Sequence, residues 1–371
     1  MHWILTLSSK NTYEISGSNL EIDVPSITRI AAALLIGTAG GCAFYATNVP
    51  LPWMLGALFA TMAATIGGAP IEAPNQMRPA VVAVIGVLLG SRFTPDILSQ
   101  VSAWAGTVTV LMGYVVAVAL TVVPFYHFVG KLDWTTAYFA GMPGGLSEMI
   151  EIGEASGAKA APIILAHSLR IVFTITLIAF WFRIVQGASF GGALVALPPD
   201  LAAGDAILLL GCAVLGSWIG LRLRLTAPTL LGPMVLSAAL HLTGITQSSP
   251  PNLLVNVAQI ILGSALGCRF HDVHPKALLR AGVLSVAATV LTLTLALGAG
   301  LVMRGLSDVQ IDQAMLALAP GGLTEMGLIA MAIHSDVAFV ALHHVVRILF
   351  VLLVAPLTFR LVSDRQANKP N

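Results

Sequence analysis

Charge is what this sequence has least of. Only 9% of its 371 residues are Asp, Glu, Lys or Arg, against about 25% in soluble domains. That scarcity excludes a large soluble core. Lys and Arg never cluster and the formal net charge is +1, so no direct nucleic acid contact is expected. Cysteine is almost missing as well. Cys42, Cys212 and Cys268 are scattered without a metal-like spacing and read as packing residues, since a free cysteine behaves as a small hydrophobe. Residues 1–9 contain an apolar run, but one without a basic start and too short for a signal-peptide core.

What the chain does have is apolar residues, 57% of the total, with a mean hydropathy of +0.90. These values predict an all-α polytopic membrane protein in a lipid bilayer. The divisions expected are a polar N-terminal tail (1–26), a first membrane repeat (27–183), a linker (184–206), a second repeat (207–360) and a cytoplasmic C-terminal tail (361–371). Apolar segments in the first half fall at 27–45, 51–68, 80–90, 101–129, 134–156 and 158–183. Segment 80–90 is short for a span of about 20 residues.

The second half retraces the first. Pro228 and Gly232 stand where Pro52 and Gly56 stood, and Gly263, Gly267, Arg269 and Phe270 match Gly86, Gly90, Arg92 and Phe93. The glycine pairs at i, i+4 suit close helix packing better than a ligand loop. One motif dominates the comparison. Pro143-Gly144-Gly145-Leu146-Ser147-Glu148-Met149 recurs as Pro320-Gly321-Gly322-Leu323-Thr324-Glu325-Met326. At an offset of 177, 14 of the 31 positions from Pro143 to Phe173 are identical.

The positive-inside rule decides how two such repeats face. With one re-entrant segment per half, each half makes about five crossings. One side then collects 13 basic residues (Lys10, Arg29, Arg78, Lys131, Lys159, Arg222, Arg224, Arg269, Lys276, Arg280, Arg360, Arg365 and Lys369), and the other keeps 3 (Arg92, Arg183 and Arg304). That asymmetry predicts inverted repeats with both termini cytoplasmic, in the bacterial inner membrane. The Pro-Gly-Gly segment and the short segment 80–90 compete for the re-entrant role.

A Pro-Gly-Gly break frees backbone groups that hydrocarbon cannot satisfy, so it must face protein or a water-filled cavity. The half-helix beyond each break offers unpaired N–H groups and the positive end of its dipole. Ser147 and Thr324 add a hydroxyl there, and Glu148 and Glu325 a carboxylate. Two breaks in inverted repeats would meet near the midplane, as in secondary-transporter sites. Arg170 and Arg347 fall near the centres of the last helices, each with a histidine, His167 or His344, three residues earlier on the same face. Two arrangements stand open: the arginines pair with Glu148 and Glu325, or they face the cavity and form an anion pocket with the glutamates as proton acceptors. The expected solute-binding set is therefore Pro143, Gly144, Gly145, Ser147, Glu148, His167 and Arg170 with Pro320, Gly321, Gly322, Thr324, Glu325, His344 and Arg347. His343-His344 and His271-x-x-His274 match no recognised ligand spacing, so no metal and no cofactor are expected.

The doubled Pro-Gly-Gly-Leu-Ser/Thr-Glu-Met motif with its His-x-x-Arg helix resembles the AbrB-type duplicated membrane family, over nearly all of 27–360. Members carry the labels AbrB family transcriptional regulator and ammonia monooxygenase. The resemblance implies membrane residence and, for some members, regulation of gene expression. A soluble DNA-binding segment and a set of copper ligands are both missing from the sequence, so an enzyme is not expected. The broken-helix layout looks like that of bile-acid-symporter-type and glutamate-symporter-type carriers in architecture alone. The expected function is secondary transport of a small, anionic solute, coupled to protons or sodium, in a monomer or homodimer. A membrane-embedded regulator acting through a partner is the alternative.

Overall fold

A computed structural model describes residues 26–47, 51–95, 97, 104–185, 202–271, 273 and 275–367. The described residues form fourteen α-helices and no strand. In chain order they are α1 (Ser26–Ala46), α2 (Pro52–Ile66), α3 (Arg78–Gly90), α4 (Ala105–Phe128), α5 (Trp134–Gly141), α6 (Leu146–Ala155) and α7 (Ala160–Val185). Then follow α8 (Ala203–Arg222), α9 (Pro228–Leu242), α10 (Asn252–Gly267), α11 (Pro275–Leu306), α12 (Ile311–Leu318), α13 (Leu323–Ala332) and α14 (Val337–Ala367). Residues 1–25 of the N-terminal tail, residues 186–201 of the linker and His274 lie outside the described residues. Helix α10 begins at Asn252, well before the matched Gly263 and Gly267, and the polar Asn256 and Gln259 lie within it without breaking it. Helix α14 continues to Ala367, into the stretch read from sequence as a tail.

Among the described residues, seven helices are long and apolar enough to cross a membrane: α1, α4, α7, α8, α10, α11 and α14. Their outer faces carry large exposed apolar side chains, such as Leu210, Val214 and Trp218 along α8 and Val283 and Val290 along α11. Water would penalise such faces, and a bilayer would not.

Helix starts follow local chemistry. Pro52 and Pro228 open α2 and α9 at positions where a missing N–H costs nothing. The residues before them, Leu51 and Ala227, both adopt left-handed backbone (φ 46° and 53°). Gly157 and His334 do the same after α6 and α13 (φ 83° and 57°). The next amides, Ala158 N–H and Ser335 N–H, close the helix ends on Gly153 O and Ala330 O, each at 2.8 Å.

Packing divides the helices into two sets. In one, α2 lies on α1 and α10, and α9 lies on α8 and α3. The contacts are made at glycine. Gly40 meets the backbone of Gly56, and Gly216 that of Gly232. Gly86 and Gly90 sit against the carbonyls of Leu230 and Met234 in α9, while Gly263 and Gly267 sit against those of Met54 and Leu58 in α2. A Cβ at any of these positions would overlap main chain, so both Gly-x-x-x-Gly pairs are helix-packing surfaces. In the other set, α4 packs on α5, α11 and α14, and α11 on α7 and α12. Phe139, Phe182 and Phe339 are fully buried within it.

Candidate functional site

Each copy of the Pro-Gly-Gly motif lies between two short helices. Helix α5 ends at Gly141, Met142 is extended, and α6 starts at Leu146 with Gly145 as its N-cap. Helix α12 ends at Leu318, Ala319 is extended, and α13 starts at Leu323 behind Gly322. Proline lacks an N–H and disfavours helix in the residue before it, so the chain cannot continue as helix through Pro143 or Pro320. The last carbonyls of α5 and α12 are then left without intrahelical partners.

A His-x-x-Arg pair on the following long helix supplies those partners. His167 bonds Phe139 O through Nε2 at 2.9 Å. Arg170 donates to Met142 O at 3.0 Å and Gly144 O at 3.2 Å. In the second copy His344 bonds Leu316 O at 3.0 Å. Arg347 donates to Leu318 O at 3.3 Å, to Ala319 O, and to Gly321 O at 3.1 Å. Both arginines also reach their own histidine's Nδ1, at 3.1 Å and 2.9 Å. This fixes the histidine tautomers. A carbonyl only accepts and a guanidinium only donates, so Nε2 carries the proton and Nδ1 the lone pair.

The carboxylates go elsewhere. Glu148 and Glu325 occupy the third position of α6 and α13, and each folds back onto its own N-cap, where a Cβ on Gly145 or Gly322 would overlap it. Thr324 donates to Glu325 Oε2 at 2.7 Å. The sequence offered Arg–Glu pairing as one arrangement, but the arginines bond carbonyls and histidine instead. The physical reason is the break itself. It splits one helix dipole into two, placing a negative C-terminus beside the arginine and a positive N-terminus beside the glutamate. Each charge is answered by its nearest dipole end.

The two breaks share one small cavity. Pro143, Pro320, Arg170, Tyr126, Ala288 and Thr292 are among its lining residues, and its volume of about 10 Å³ suits about one water. Tyr114 lies on α4 about three turns before Tyr126, with its side chain buried. Several buried polar atoms here have no hydrogen-bond partner: Tyr114 Oη, Arg170 Nε, Arg347 Nε, Ser285 Oγ and Thr289 Oγ1. Ser285 lies beside Tyr126 without closing a hydrogen bond of good geometry. The structure therefore brings together Pro143, Arg170, Pro320 and Arg347 and holds them with His167 and His344. Gly144, Gly145, Gly321 and Gly322 form the breaks around them. Ser147 is exposed, and Glu148, Thr324 and Glu325 are part-buried at the half-helix starts.

Sequence reasoning missed Tyr114, Tyr126 and the hydroxyls of α11. Ser285, Thr289 and Thr292 recur at i, i+4 and i+7, a polar stripe within an apolar run that could have been noticed. The other histidines diverge from this centre. His343 bonds Phe339 O at 2.8 Å and Thr107 on α4 at 2.9 Å, a tie between helices. His271 lies at a separate hollow of about 460 Å³ beside Arg29, Glu72 and Cys268.

The two copies are not equally enclosed. Of α13, Leu323, Met326, Gly327, Leu328, Ile329 and Ala330 are buried, whereas α6 buries only Met149 and Gly153. Helix α13 packs on α3, with Leu89 against Gly327 and Arg92 donating to Met331 Sδ at 3.3 Å.

Fold and site together define, among the described residues, an all-helical protein with helices long and apolar enough to cross a membrane and a buried, cation-bearing centre. A sequence profile of the family described as "Transition state regulatory protein AbrB" matches residues 53–363, and the chain belongs to that family. It is 23% identical over 360 residues to "Uncharacterized protein YhjN" of Bacillus subtilis (strain 168), covering 91% of this chain and 94% of that protein. It is 24% identical over 328 residues to "Putative regulator AbrB" of Escherichia coli (strain K12), covering 86% and 92%.

Proposed function

We propose that the chain is an integral membrane protein of two inverted repeats that acts as a secondary transporter of a small anionic solute, with its site where the two Pro-Gly-Gly breaks meet. The observation that carries this reading is the shared cavity, lined by Pro143 and Pro320 beside Arg170. Duplication is supported by seven helices matching seven in order, and by left-handed backbone at Leu51 and Ala227 and again at Gly157 and His334. A two-fold relation between the halves is supported by reciprocal packing, α2 on α10 and α9 on α3, and the division of basic residues supports its inverted form. The uneven division of basic residues favours cytoplasmic termini. The unequal enclosure of α6 and α13 suits a carrier open to one side, since alternating access exchanges which half is sealed.

Reconstituted vesicles test the reading. Anion flux should depend on an imposed proton or sodium gradient and vanish when Arg170 or Arg347 is replaced. Normal flux in both Arg170→Ala and Arg347→Ala would remove the site assignment. We assign no enzymatic step. Elemental analysis finding stoichiometric copper in purified protein would reverse that.

A second reading, a membrane-embedded regulator acting through a partner, is favoured by the family description and by the printed name of the Escherichia coli relative. It requires solute binding without flux, so the same vesicles separate the two.

A further inference from the structure

We propose that Glu154 and Arg269 form an ion pair that holds the opposite state of the carrier, in which α6 closes on the end of α10 as α13 closes on the end of α3 here. This names two positioning residues for the transport cycle, and so rests on the reading above.

The closure seen in the structure is a defined contact. A Cβ at Gly327 would come within 2.6 Å of Leu89 Cδ2, so α13 lies close on the last turn of α3. One turn further, Arg92 donates to Met331 Sδ at 3.3 Å. In the register that matches Pro143 with Pro320, Ile150, Glu151 and Glu154 stand at Gly327, Leu328 and Met331. In the same register Leu266 and Arg269 stand at Leu89 and Arg92. Arg269 is part-buried in the 3-10 turn that ends α10, while Glu151 and Glu154 are exposed on α6. Inverted repeats that exchange conformations would bring α6 onto α10 through these residues.

Size and charge then differ between the two closures. Glycine at 327 admits close packing, and the polar end of that contact is only a guanidinium on a thioether, a weak acceptor. Ile150 in the place of Gly327 would hold α6 farther from Leu266, a looser contact that leaves Glu151 in water. Glu154 in the place of Met331 could not be covered without a cation, because an unpaired carboxylate in an apolar contact is costly. The residue that the register delivers there is Arg269. One closure is thus held chiefly by packing and the other by a charge-assisted pair.

Crosslinking reads both closures without any solute. With Cys42, Cys212 and Cys268 replaced by alanine, Leu89→Cys with Gly327→Cys reports the closure seen here. Ile150→Cys with Leu266→Cys reports the opposite one. Purified protein in detergent would be treated with a short bis-methanethiosulfonate, and the linked peptides quantified by mass spectrometry. Two changes weaken the present closure. Gly327→Val drives a side chain into Leu89, and Arg92→Ala removes an exposed side chain that the fold does not need. Each should raise the Ile150–Leu266 crosslink about fivefold, the change in a two-state ratio that about 1 kcal/mol brings. Adding Glu154→Gln or Arg269→Gln should cancel that rise, and exchanging the charges as Glu154→Arg with Arg269→Glu should restore it. Glu151→Gln should leave it unchanged. The proposal is overturned if the crosslink rises in neither Gly327→Val nor Arg92→Ala, or if the rise survives loss of Glu154 or Arg269. Flux of acetate or nitrate into vesicles separates the two levels. A crosslink that depends on this pair in a protein that moves neither anion removes transport and leaves the exchange. Flux without any Ile150–Leu266 crosslink keeps transport and removes the pair.

Discussion

Arg347 donates to His344 Nδ1 at 2.9 Å, one turn along α14, while His344 Nε2 donates to Leu316 O at 3.0 Å. The histidine is thus a relay between a guanidinium and the end of a half-helix. The same chain of contacts runs from Arg170 through His167 to Phe139 O. His344→Ala would strand both ends, and each buried group left unmet costs about 1–3 kcal/mol. Thermal unfolding in detergent should show that loss. His167→Ala should lose less, because Arg170 is only part-buried and Arg347 is 4% exposed.

Replacing the glutamates should be mild. Glu148→Gln and Glu325→Gln give up a charge at a helix N-terminus, worth about 0.3–1 kcal/mol. Both variants should fold and resist heat nearly as wild type. A buried Arg–Glu ion pair would behave differently, losing about 3–5 kcal/mol on removal of one partner. A drop of that size in either variant would overturn the placement of the carboxylates.

Overpacking the glycine contacts should be costly on both sides of the molecule. Gly86→Val and Gly263→Val each drive a side chain into main chain of the opposing helix, Leu230 O in one case and Met54 O in the other. A cost of about 1–3 kcal/mol is expected for each. Melting temperatures would check it, with Gly113→Val as the control, since nothing lies within 4 Å of its Cβ position.

His334 holds a left-handed backbone conformation (φ 57°) where its counterpart is Gly157. His334→Gly should relieve strain of about 1 kcal/mol, partly offset by the greater freedom glycine has when unfolded. A small rise in unfolding temperature is the expected outcome.

Asp133 links stability to pH. Its slight burial would raise its pKa, but the bond from Thr136 N–H at 2.9 Å, the Thr136 hydroxyl and the charge of Lys159 outweigh that and hold it below 3.8. A carboxyl depressed on folding stabilises the protein above its unfolded pKa and ceases to do so as pH falls through the folded value. Asp133→Asn should therefore lower stability slightly at neutral pH and flatten its decline below pH 3.8. Denaturation followed from pH 7 to pH 3 would test the sign.

Much of this molecule was legible in order. Composition gave the helical membrane class, the proline pairs marked the starts of α2 and α9, and the Pro-Gly-Gly motif marked where α5 and α12 end. These are local effects of backbone sterics and of apolar runs, so sequence carries them directly. The Gly-x-x-x-Gly pairs told that two helices would come close, but not that α3 would meet α9 and α10 would meet α2. Nothing along the chain singled out Tyr114, which is buried only because α4 packs against α11 and α14.

The sequence alone determined which residues break the helices and which charges must be buried among apolar neighbours. Tertiary structure decided how those charges are satisfied. Glu148 lies 22 positions before Arg170 and looks like its natural partner. Folding instead presents the arginine with the carbonyl end of α5 and the glutamate with the amide end of α6. A broken helix offers two opposed dipole ends only once its halves are set in space, so no reading of residue order could assign one to each charge.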